Sequence, residues 1–222
     1  MTDLDKLSPH YRTDESGGID PALSQYLDEN YFRKLNNVNK TNPKLLVVFS
    51  GGNAVGKSTL SKKIGDELDG LVIENDAIRR SIIDMMPDVD RSKQIHNLTW
   101  QYTKGLYPRL DSMTENGLIV RDGIIDWYFD RILPSFPFHE LFIVAYDLSR
   151  EKSIELIGRR GDTPTAKADG LYQLIGDHDI HTKRFRSQFS PDVVLDDDNV
   201  FDHDIVVSLL RKRVSELRNI KN

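Results

Sequence analysis

The fold of this chain is decided by residues 45–59, whose sequence is LLVVFSGGNAVGKST. An apolar run typical of a buried strand leads into a glycine-rich turn, and Leu60, Ile64 and Leu68 then follow at helical spacing. Residues 51–58 match the pattern G-x-x-x-x-G-K-[ST], the P-loop that surrounds the phosphates of nucleotides. A strand before the turn and a helix after it form the context that this motif requires. We therefore interpret the match as a nucleotide-binding site.

Each part of this loop has a physical task. Its glycines allow positive φ angles and a close approach of the backbone to an anion. Successive backbone N–H groups then surround the anion at the positive end of the helix. Lys57 places a positive charge on the outer phosphates, and the hydroxyl of Ser58 is a suitable ligand for Mg²⁺. The residues predicted to bind the nucleotide are Gly51, Gly52, Asn53, Ala54, Val55, Gly56, Lys57, Ser58 and Thr59.

Composition limits the class of protein. The chain has 222 residues, of which 38% are hydrophobic and 29% charged, enough for one α/β domain with additions. No apolar run approaches the ~20 residues needed to span a bilayer, so we expect a cytoplasmic protein without a membrane partner. The absence of cysteine excludes disulfides, a thiolate zinc site and a cysteine nucleophile. The net charge of −5 disfavours nucleic acid as a partner, although a local basic groove would be compatible with it.

The sequence divides into two predicted parts. Residues 1–42 form a polar tail and one amphipathic helix, which begins with Asp20 as N-cap and Pro21 in the first turn. Residues 43–222 form the main domain, which contains the P-loop. The sequence does not indicate an oligomeric state.

Two acidic residues follow strand-like segments of the main domain. Asp76 comes directly after residues 70–74, and we interpret it either as a helix N-cap or as an acid at the ligand-binding edge of the sheet, with Arg79 nearby. Asp122 ends residues 117–122, a hydrophobic run of the Walker B type, in which the carboxylate orients the shell of Mg²⁺. Asp126 either caps a predicted helix over residues 127–133 or reaches the phosphate acceptor.

Residues 161–177 are rich in glycine, aspartate and threonine, which predicts a mobile loop. Arginines lie on both sides of it, at Arg159, Arg160, Arg184 and Arg186. Guanidinium groups on such a loop are suited to phosphoryl transfer, because they neutralise charge on the transferring oxygens when the loop closes. The simpler alternative is that these arginines are solvated helix ends. We place the predicted lid at about residues 159–187.

The order of the elements resembles that of the P-loop kinases, in particular the AAA-type ATP-binding, polynucleotide-kinase-like and zeta-toxin-like small kinases. The matching segments are residues 50–59, 74–80, 118–122, 159–160 and 184–191. The resemblance implies a three-layer α/β P-loop NTPase fold, with a mostly parallel sheet, its first strand in the middle, helices on both faces and a lid. It also implies that Asp76 accepts the proton of the acceptor hydroxyl and that Arg159 or Arg160 lies in the lid.

The leading hypothesis is therefore an ATP- and Mg²⁺-dependent phosphotransferase acting on a hydroxyl of a small molecule such as a nucleoside, nucleotide or sugar. Its predicted catalytic residues are Lys57, Asp76, Arg159 and Arg160; the predicted metal ligands are Ser58 and Asp122; and the predicted acceptor contacts are Asp76, Arg79 and Asp126. The alternatives are a polynucleotide 5′-hydroxyl kinase and a nucleotide-binding regulatory ATPase without an acceptor. A GTPase is disfavoured because no D-x-x-G and no N-K-x-D segment follows the P-loop.

Overall fold

The structure is a computed structural model that describes residues 18–35, 42–52, 54–90, 94–113, 117–159 and 179–220. The chain forms two compact units. The helical unit comprises Met1–Asn37 and Glu74–Met113, and the sheet unit comprises Val38–Ile73 and Thr114–Asn222. The units therefore alternate along the chain. The predicted division into residues 1–42 and 43–222 stays a prediction.

The sheet unit is organised around a five-stranded parallel sheet. The strands are β1 (Leu45–Ser50), β2 (Leu71–Glu74), β3 (Leu118–Ile124), β4 (Glu140–Tyr146) and β5 (Val193–Leu195). Their order across the sheet is β2-β3-β1-β4-β5, so β1 occupies the centre, as the resemblance implied. All six residues of β1 are buried, which explains its uninterrupted apolar sequence. The predicted α/β fold with helices flanking a parallel sheet is confirmed.

The described helices are α1 (Pro21–Asn30), α2 (Lys57–Leu68), α3 (Asn75–Met85), α4 (Gln94–Met113), α5 (Phe129–Ile132), α6 (Arg150–Gly158), α7 (179–186) and α8 (His203–Ile220). Helices α2 and α8 pack on one face of the sheet in the main hydrophobic core. That core includes Leu45, Val47 and Phe49 of β1, Leu60 and Ile64 of α2, and Val206, Leu210 and Val214 of α8. This packing fixes the amino end of α2 directly after the central strand, which is where the P-loop lies. No helix within the described ranges is both long and apolar enough to cross a bilayer.

Strand β3 contains a bulge at its carboxyl end. Val47 of β1 pairs with Val120, but Phe49 pairs with Ile124, so β3 has two extra residues over this interval. Gly123 within the bulge has a φ of 128°. The buried Arg121 donates from one guanidinium nitrogen to the backbone oxygens of Gly123 and Ile124, at 3.3 and 3.2 Å. Bulges redirect the side chains around them, and this one contains Asp122.

Hydrogen bonds join α1 to α4 within the helical unit. The Tyr102 hydroxyl donates to Asp28 at 2.9 Å, and Arg109 donates to both oxygens of the same carboxylate. The Tyr31 hydroxyl accepts the backbone N–H of Glu74 at 3.0 Å. The amphipathic helix predicted near the amino end is confirmed, with Asp20 accepting hydrogen bonds from the first turn of α1.

Two local predictions from the sequence differ from the structure. The helix predicted over residues 127–133 is the short α5, preceded by a turn. Asp76 is not an N-cap: the cap position is Glu74, and Asp76 lies in the first turn of α3.

Candidate functional site

The P-loop connects the carboxyl end of β1 to the amino end of α2. Gly51 and Gly56 have φ angles of 108° and 87°, which side-chain-bearing residues rarely adopt. A Cβ atom on Gly51 would lie 2.4 Å from the Tyr146 backbone oxygen. A Cβ atom on Gly56 would lie 3.2 Å from Nε2 of His203. Space as well as backbone conformation therefore requires glycine at position 51, whereas at Gly56 the backbone conformation is the main requirement. Asn53, also predicted to bind the nucleotide, lies outside the described residues.

Lys57 is folded back over this loop. Its side chain donates a hydrogen bond to the backbone oxygen of Gly52, and Nζ lies 5.7 Å from the centre of the Tyr146 ring. Only 9% of the residue is exposed. A positive charge held next to the loop backbone by these contacts is well placed to bind an anion there. Ser58 follows in the first turn of α2.

Asp122 lies in the β3 bulge and is 9% exposed. Tyr146, the last residue of β4, has a buried hydroxyl without a hydrogen-bond partner among the described residues. Burial raises the pKa of the Tyr146 hydroxyl, and the nearby Asp122 carboxylate raises this pKa further. Asp122, Tyr146 and Lys57 therefore surround one region at the carboxyl edge of the sheet.

The donor set of this region fits Mg²⁺. The Ser58 hydroxyl and the Asp122 carboxylate are hard oxygen ligands of the kind that Mg²⁺ prefers. No group of three or more acidic or histidine side chains able to hold a metal occurs in the part of the chain that the structure describes. Magnesium in nucleotide sites needs no such group, because it is held by one or two protein oxygens together with the phosphates.

Asp126 is in contact with both the P-loop and α7. Its side chain is fully buried, and Oδ2 accepts hydrogen bonds from the Gly51 N–H and the Thr182 hydroxyl, each at 2.8 Å. The capping interpretation is wrong, since the N-cap residue of α5 is Tyr128 and no side chain caps this helix. Contact between Asp126 and an acceptor stays a prediction.

Arg186 of α7, which falls within the predicted lid, lies beside the P-loop. Its guanidinium donates to the Tyr146 backbone oxygen at 2.9 Å, to Asp147 at 3.3 Å and to the Ser50 hydroxyl at 3.4 Å. Together with Gly51 and Gly52 it lines a small cleft at the end of β4. Arg186 belongs to the predicted lid at about residues 159–187, but the arginines predicted to be catalytic are Arg159 and Arg160.

The two selected arginines are not placed beside the loop by the described structure. Arg159, immediately after α6, is exposed and donates a hydrogen bond to Glu155 of the same helix. Arg160 lies outside the described residues, as does the predicted loop at 161–177. The catalytic role of both arginines stays a prediction.

Asp76 and Arg79 belong to the helical unit. Arg79 donates to Asp76 at 2.7 Å, and a second guanidinium nitrogen lies 3.3 Å from Nδ1 of His96. The Asp76 side chain is 69% exposed. An accessible carboxylate held by one arginine is chemically suited to accept a proton or to bind a hydroxyl group.

Trp127 and His181 form a stacked pair that joins the turn before α5 to α7. The two ring centres are 4.0 Å apart, with 29° between the ring planes. Both residues are buried. No local pattern indicates this pair, because the two residues are far apart along the chain.

His203, the first residue of α8, packs against the P-loop at Gly56. Its Nε2 atom is buried without a hydrogen-bond partner among the described residues. Burial lowers the pKa of His203, and Lys63 lowers it further, while Asp202 and Asp204 act in the opposite direction. A histidine after a polar turn carries no motif, so only the fold reveals this contact.

We expect His203 to make folding stability depend on pH. His203 has the ordinary histidine pKa of about 6.5 in the unfolded chain and a lower pKa in the folded state. At pH values between these two pKa values, the unfolded state therefore binds more protons than the folded state. The contribution of His203 to folding stability is complete above pH 6.5 and is lost as the pH falls through the folded-state pKa. Urea unfolding of wild type and His203→Gln from pH 7.5 to 5 should show the steeper loss for wild type. Equal slopes for the two proteins would contradict this.

No protein-family model and no curated protein matches this sequence. Solved structures are similar in fold. A candidate kinase from Chloroflexus aurantiacus is 16% identical with a TM-score of 0.54, covering 79% of this chain and 98% of its own. A protein of the PezAT toxin–antitoxin system of Streptococcus pneumoniae is 12% identical with a TM-score of 0.57, covering 81% and 78%. A gluconokinase from Sinorhizobium meliloti 1021 is 17% identical with a TM-score of 0.50, covering 83% and 100%.

These neighbours share the fold of the P-loop kinases, and so does this chain. The resemblance predicted from the sequence is confirmed at that level. At such low identities the likeness establishes the fold and identifies neither an activity nor a substrate.

Proposed function

We propose that the protein is an ATP-dependent phosphotransferase that moves the γ-phosphate of Mg·ATP to a hydroxyl of a small-molecule acceptor. The observation that carries the proposal is the P-loop itself, with two positive-φ glycines at the start of α2 and Lys57 folded over the loop. A gluconokinase among the structural neighbours supports a small hydroxyl-bearing acceptor.

In this proposal the sheet unit binds the nucleotide. The backbone N–H groups of the loop and the amino end of α2 bind the phosphates, and Lys57 contacts the outer ones. Ser58 and Asp122 would hold Mg²⁺, which when bound neutralises charge on the phosphate oxygens. Tyr146 lies under Lys57 and holds the ammonium group at the loop by its ring.

We assign the charge-neutralising arginine to Arg186 in preference to Arg159. The Arg186 guanidinium lines the cleft formed with Gly51 and Gly52, whereas the described contact of Arg159 is with Glu155 on its own helix. A guanidinium at the β,γ end of the phosphates stabilises the charge on the transferring oxygens. For Arg160 we keep the catalytic role that the sequence suggested.

The transfer needs a group that receives the hydroxyl proton. The bond between the γ-phosphorus and the oxygen bridging to the β-phosphate breaks, and a bond from the γ-phosphorus to the acceptor oxygen forms. We propose that the Asp76 carboxylate orients the hydroxyl and takes its proton, with Arg79 holding the carboxylate in place. Support comes from the exposure of Asp76 and from its position two residues after the end of β2.

Phosphotransfer is tested by measuring ADP release from Mg·ATP, without an acceptor and with a panel of nucleosides, nucleotides, sugars, sugar acids and 5′-hydroxyl oligonucleotides. We expect one small-molecule class to stimulate turnover, and Asp76→Asn to lower the stimulated rate about 100-fold, the scale of general base catalysis. Asp84→Asn is the matched control, because Asp84 is an exposed acid on the same helix.

The outcomes separate the alternatives. Stimulation by oligonucleotides alone would indicate a polynucleotide 5′-hydroxyl kinase. Tight ATP binding without stimulation by any acceptor would favour a regulatory ATPase. Full activity of Asp76→Asn would exclude Asp76 as the base while leaving the phosphotransferase itself intact.

A further inference from the structure

Asp126 joins the beginning of the P-loop to helix α7. One carboxylate oxygen, Oδ2, accepts both the Gly51 N–H and the Thr182 hydroxyl, each at 2.8 Å. Thr182 lies on α7, one helical turn before Arg186. We propose that Asp126 is a positioning residue, which couples the P-loop to α7 and thereby sets where the Arg186 guanidinium lies.

Asp126 is itself held firmly by the sheet. The N–H of the preceding residue, Ile125, donates to the Phe49 backbone oxygen at 2.8 Å, which extends the pairing of β1 and β3 past the bulge. The Asp126 side chain comes next, level with the first glycine of the loop. Its position thus depends on the central strands rather than on a surface loop, so it provides a fixed reference point for α7.

Among the described residues, two groups donate to the Asp126 carboxylate. Asp126 is fully buried, and its other oxygen, Oδ1, is buried without a hydrogen-bond partner in the described ranges. A buried acceptor that loses a donor is costly, because water cannot replace the lost bond. The Thr182 hydroxyl therefore confines α7 to positions in which this bond is kept.

Thr182 and Arg186 act on the same side of α7. Residues four apart in a helix lie on one face, about 6 Å apart along the axis. From that face Thr182 reaches Asp126, while Arg186 reaches the Tyr146 backbone oxygen and the Ser50 hydroxyl. A shift of α7 at Thr182 would consequently move the guanidinium relative to the P-loop.

A separate aromatic cluster anchors α7 to α5 without involving the Thr182 hydroxyl. Phe129 of α5 contacts Phe185 and Phe189 edge to face, with ring centres 5.3 and 5.7 Å apart. Arg184 also pairs with Asp130 at 3.0 Å. These contacts hold the helix against α5, whereas the Asp126 bond relates it to the nucleotide loop. Loss of the Thr182 hydroxyl therefore tests positioning rather than folding.

The consequence is that Thr182 influences the discrimination between ATP and ADP. This inference rests on the proposed function, specifically on contact between Arg186 and the terminal phosphate. A displaced guanidinium weakens the binding of a nucleotide with a γ-phosphate more than that of one without. The effect is visible in binding alone, without an acceptor.

The test is calorimetric binding of Mg·ADP and of the magnesium complex of the β,γ-imido analogue of ATP to the full chain. We expect Thr182→Val to weaken binding of the ATP analogue about fivefold and that of ADP less than twofold, the scale of one lost hydrogen bond. Thr182→Ser keeps the hydroxyl and should restore the wild-type ratio of affinities. Ser187→Ala is the matched control, because the Ser187 hydroxyl is in an exposed residue and donates to the Arg184 backbone oxygen within the same segment.

Arg186→Gln completes a double-mutant cycle. Once Arg186 is replaced, Thr182→Val should cause no further change in the ratio of affinities, because both substitutions act through the same guanidinium. Equal weakening of both nucleotides by Thr182→Val, or a lowered melting temperature with an unchanged ratio, would overturn the inference. If Arg186→Gln itself leaves the ratio unchanged, the role of Arg186 in the proposed function fails instead.

Discussion

Replacing Lys57 by alanine is expected to lower kcat/KM for Mg·ATP about 10³-fold, the upper range for removal of one preorganised electrostatic contact. The lysine is almost completely buried, and its ammonium is held between the Gly52 backbone oxygen and the Tyr146 ring. No water-exposed cation can replace a charge held at that point. Initial rates of ADP release over a range of ATP concentrations, with the stimulating acceptor present, measure the effect.

Lys62→Ala is the control for this substitution. Lys62 lies on the same helix, α2, but its side chain is exposed. It removes the same formal charge from the protein, so any general effect of net charge on nucleotide binding appears in both variants. Comparable losses for Lys57→Ala and Lys62→Ala would show that the P-loop lysine has no special role and would remove the main support for the nucleotide site.

Gly51→Ala is expected to destabilise the fold by roughly 2–6 kcal/mol, a large part of the roughly 5–15 kcal/mol that stabilises a typical domain. A backbone conformation that only glycine adopts readily costs a side-chain-bearing residue about 1–3 kcal/mol, and forced overpacking costs about as much again. Here the new Cβ atom would lie 2.4 Å from the Tyr146 backbone oxygen, an atom of the sheet that cannot rotate away. Urea unfolding at pH 7.5 measures the loss.

Gly52→Ala provides the comparison. An added Cβ at Gly52 meets no heavy atom within 4 Å, and its φ lies outside the left-handed range, so we expect a change below about 1 kcal/mol. Comparison of the two variants therefore distinguishes a steric requirement of the fold for glycine from a requirement made by the bound nucleotide. A Gly51→Ala protein as stable as wild type would mean that β1 and β4 adjust at the loop far more easily than their packing indicates.

The sequence was sufficient to predict the central part of the fold because the signals are local. The strand, the turn and the helix of residues 45–68 follow one another directly, and each is encoded by its own composition. Strand β3 was recognisable from the apolar run of residues 118–120, and Asp122 was found because it closely follows that run. Local patterns predict local elements, and the P-loop fixes their order in space.

The rest of the site depends on contacts between distant residues. Asp126 meets Thr182 and Gly51 across 56 and 75 positions of the chain, and no spacing rule connects them. Arg186 could not be distinguished from Arg159 because both adjoin the same polar segment, and only α7 shows which one faces the P-loop. The bulge at Asp122 was also hidden, because it is a difference in length between two paired strands. For Tyr146 a usable signal existed, because the residue ends an apolar run, and the carboxyl ends of parallel strands are where ligands bind.

The stacked pair of Trp127 and His181 has a practical consequence. The indole is one of only two in the chain, and it lies against a side chain of α7. The emission of tryptophan responds to the group in contact with its ring, so a movement of α7 away from the turn before α5 changes the fluorescence of the protein. With Trp100 replaced by phenylalanine, the chain would carry a single intrinsic optical reporter of the helix that bears Arg186. Its motion could then be followed in real time without an attached dye.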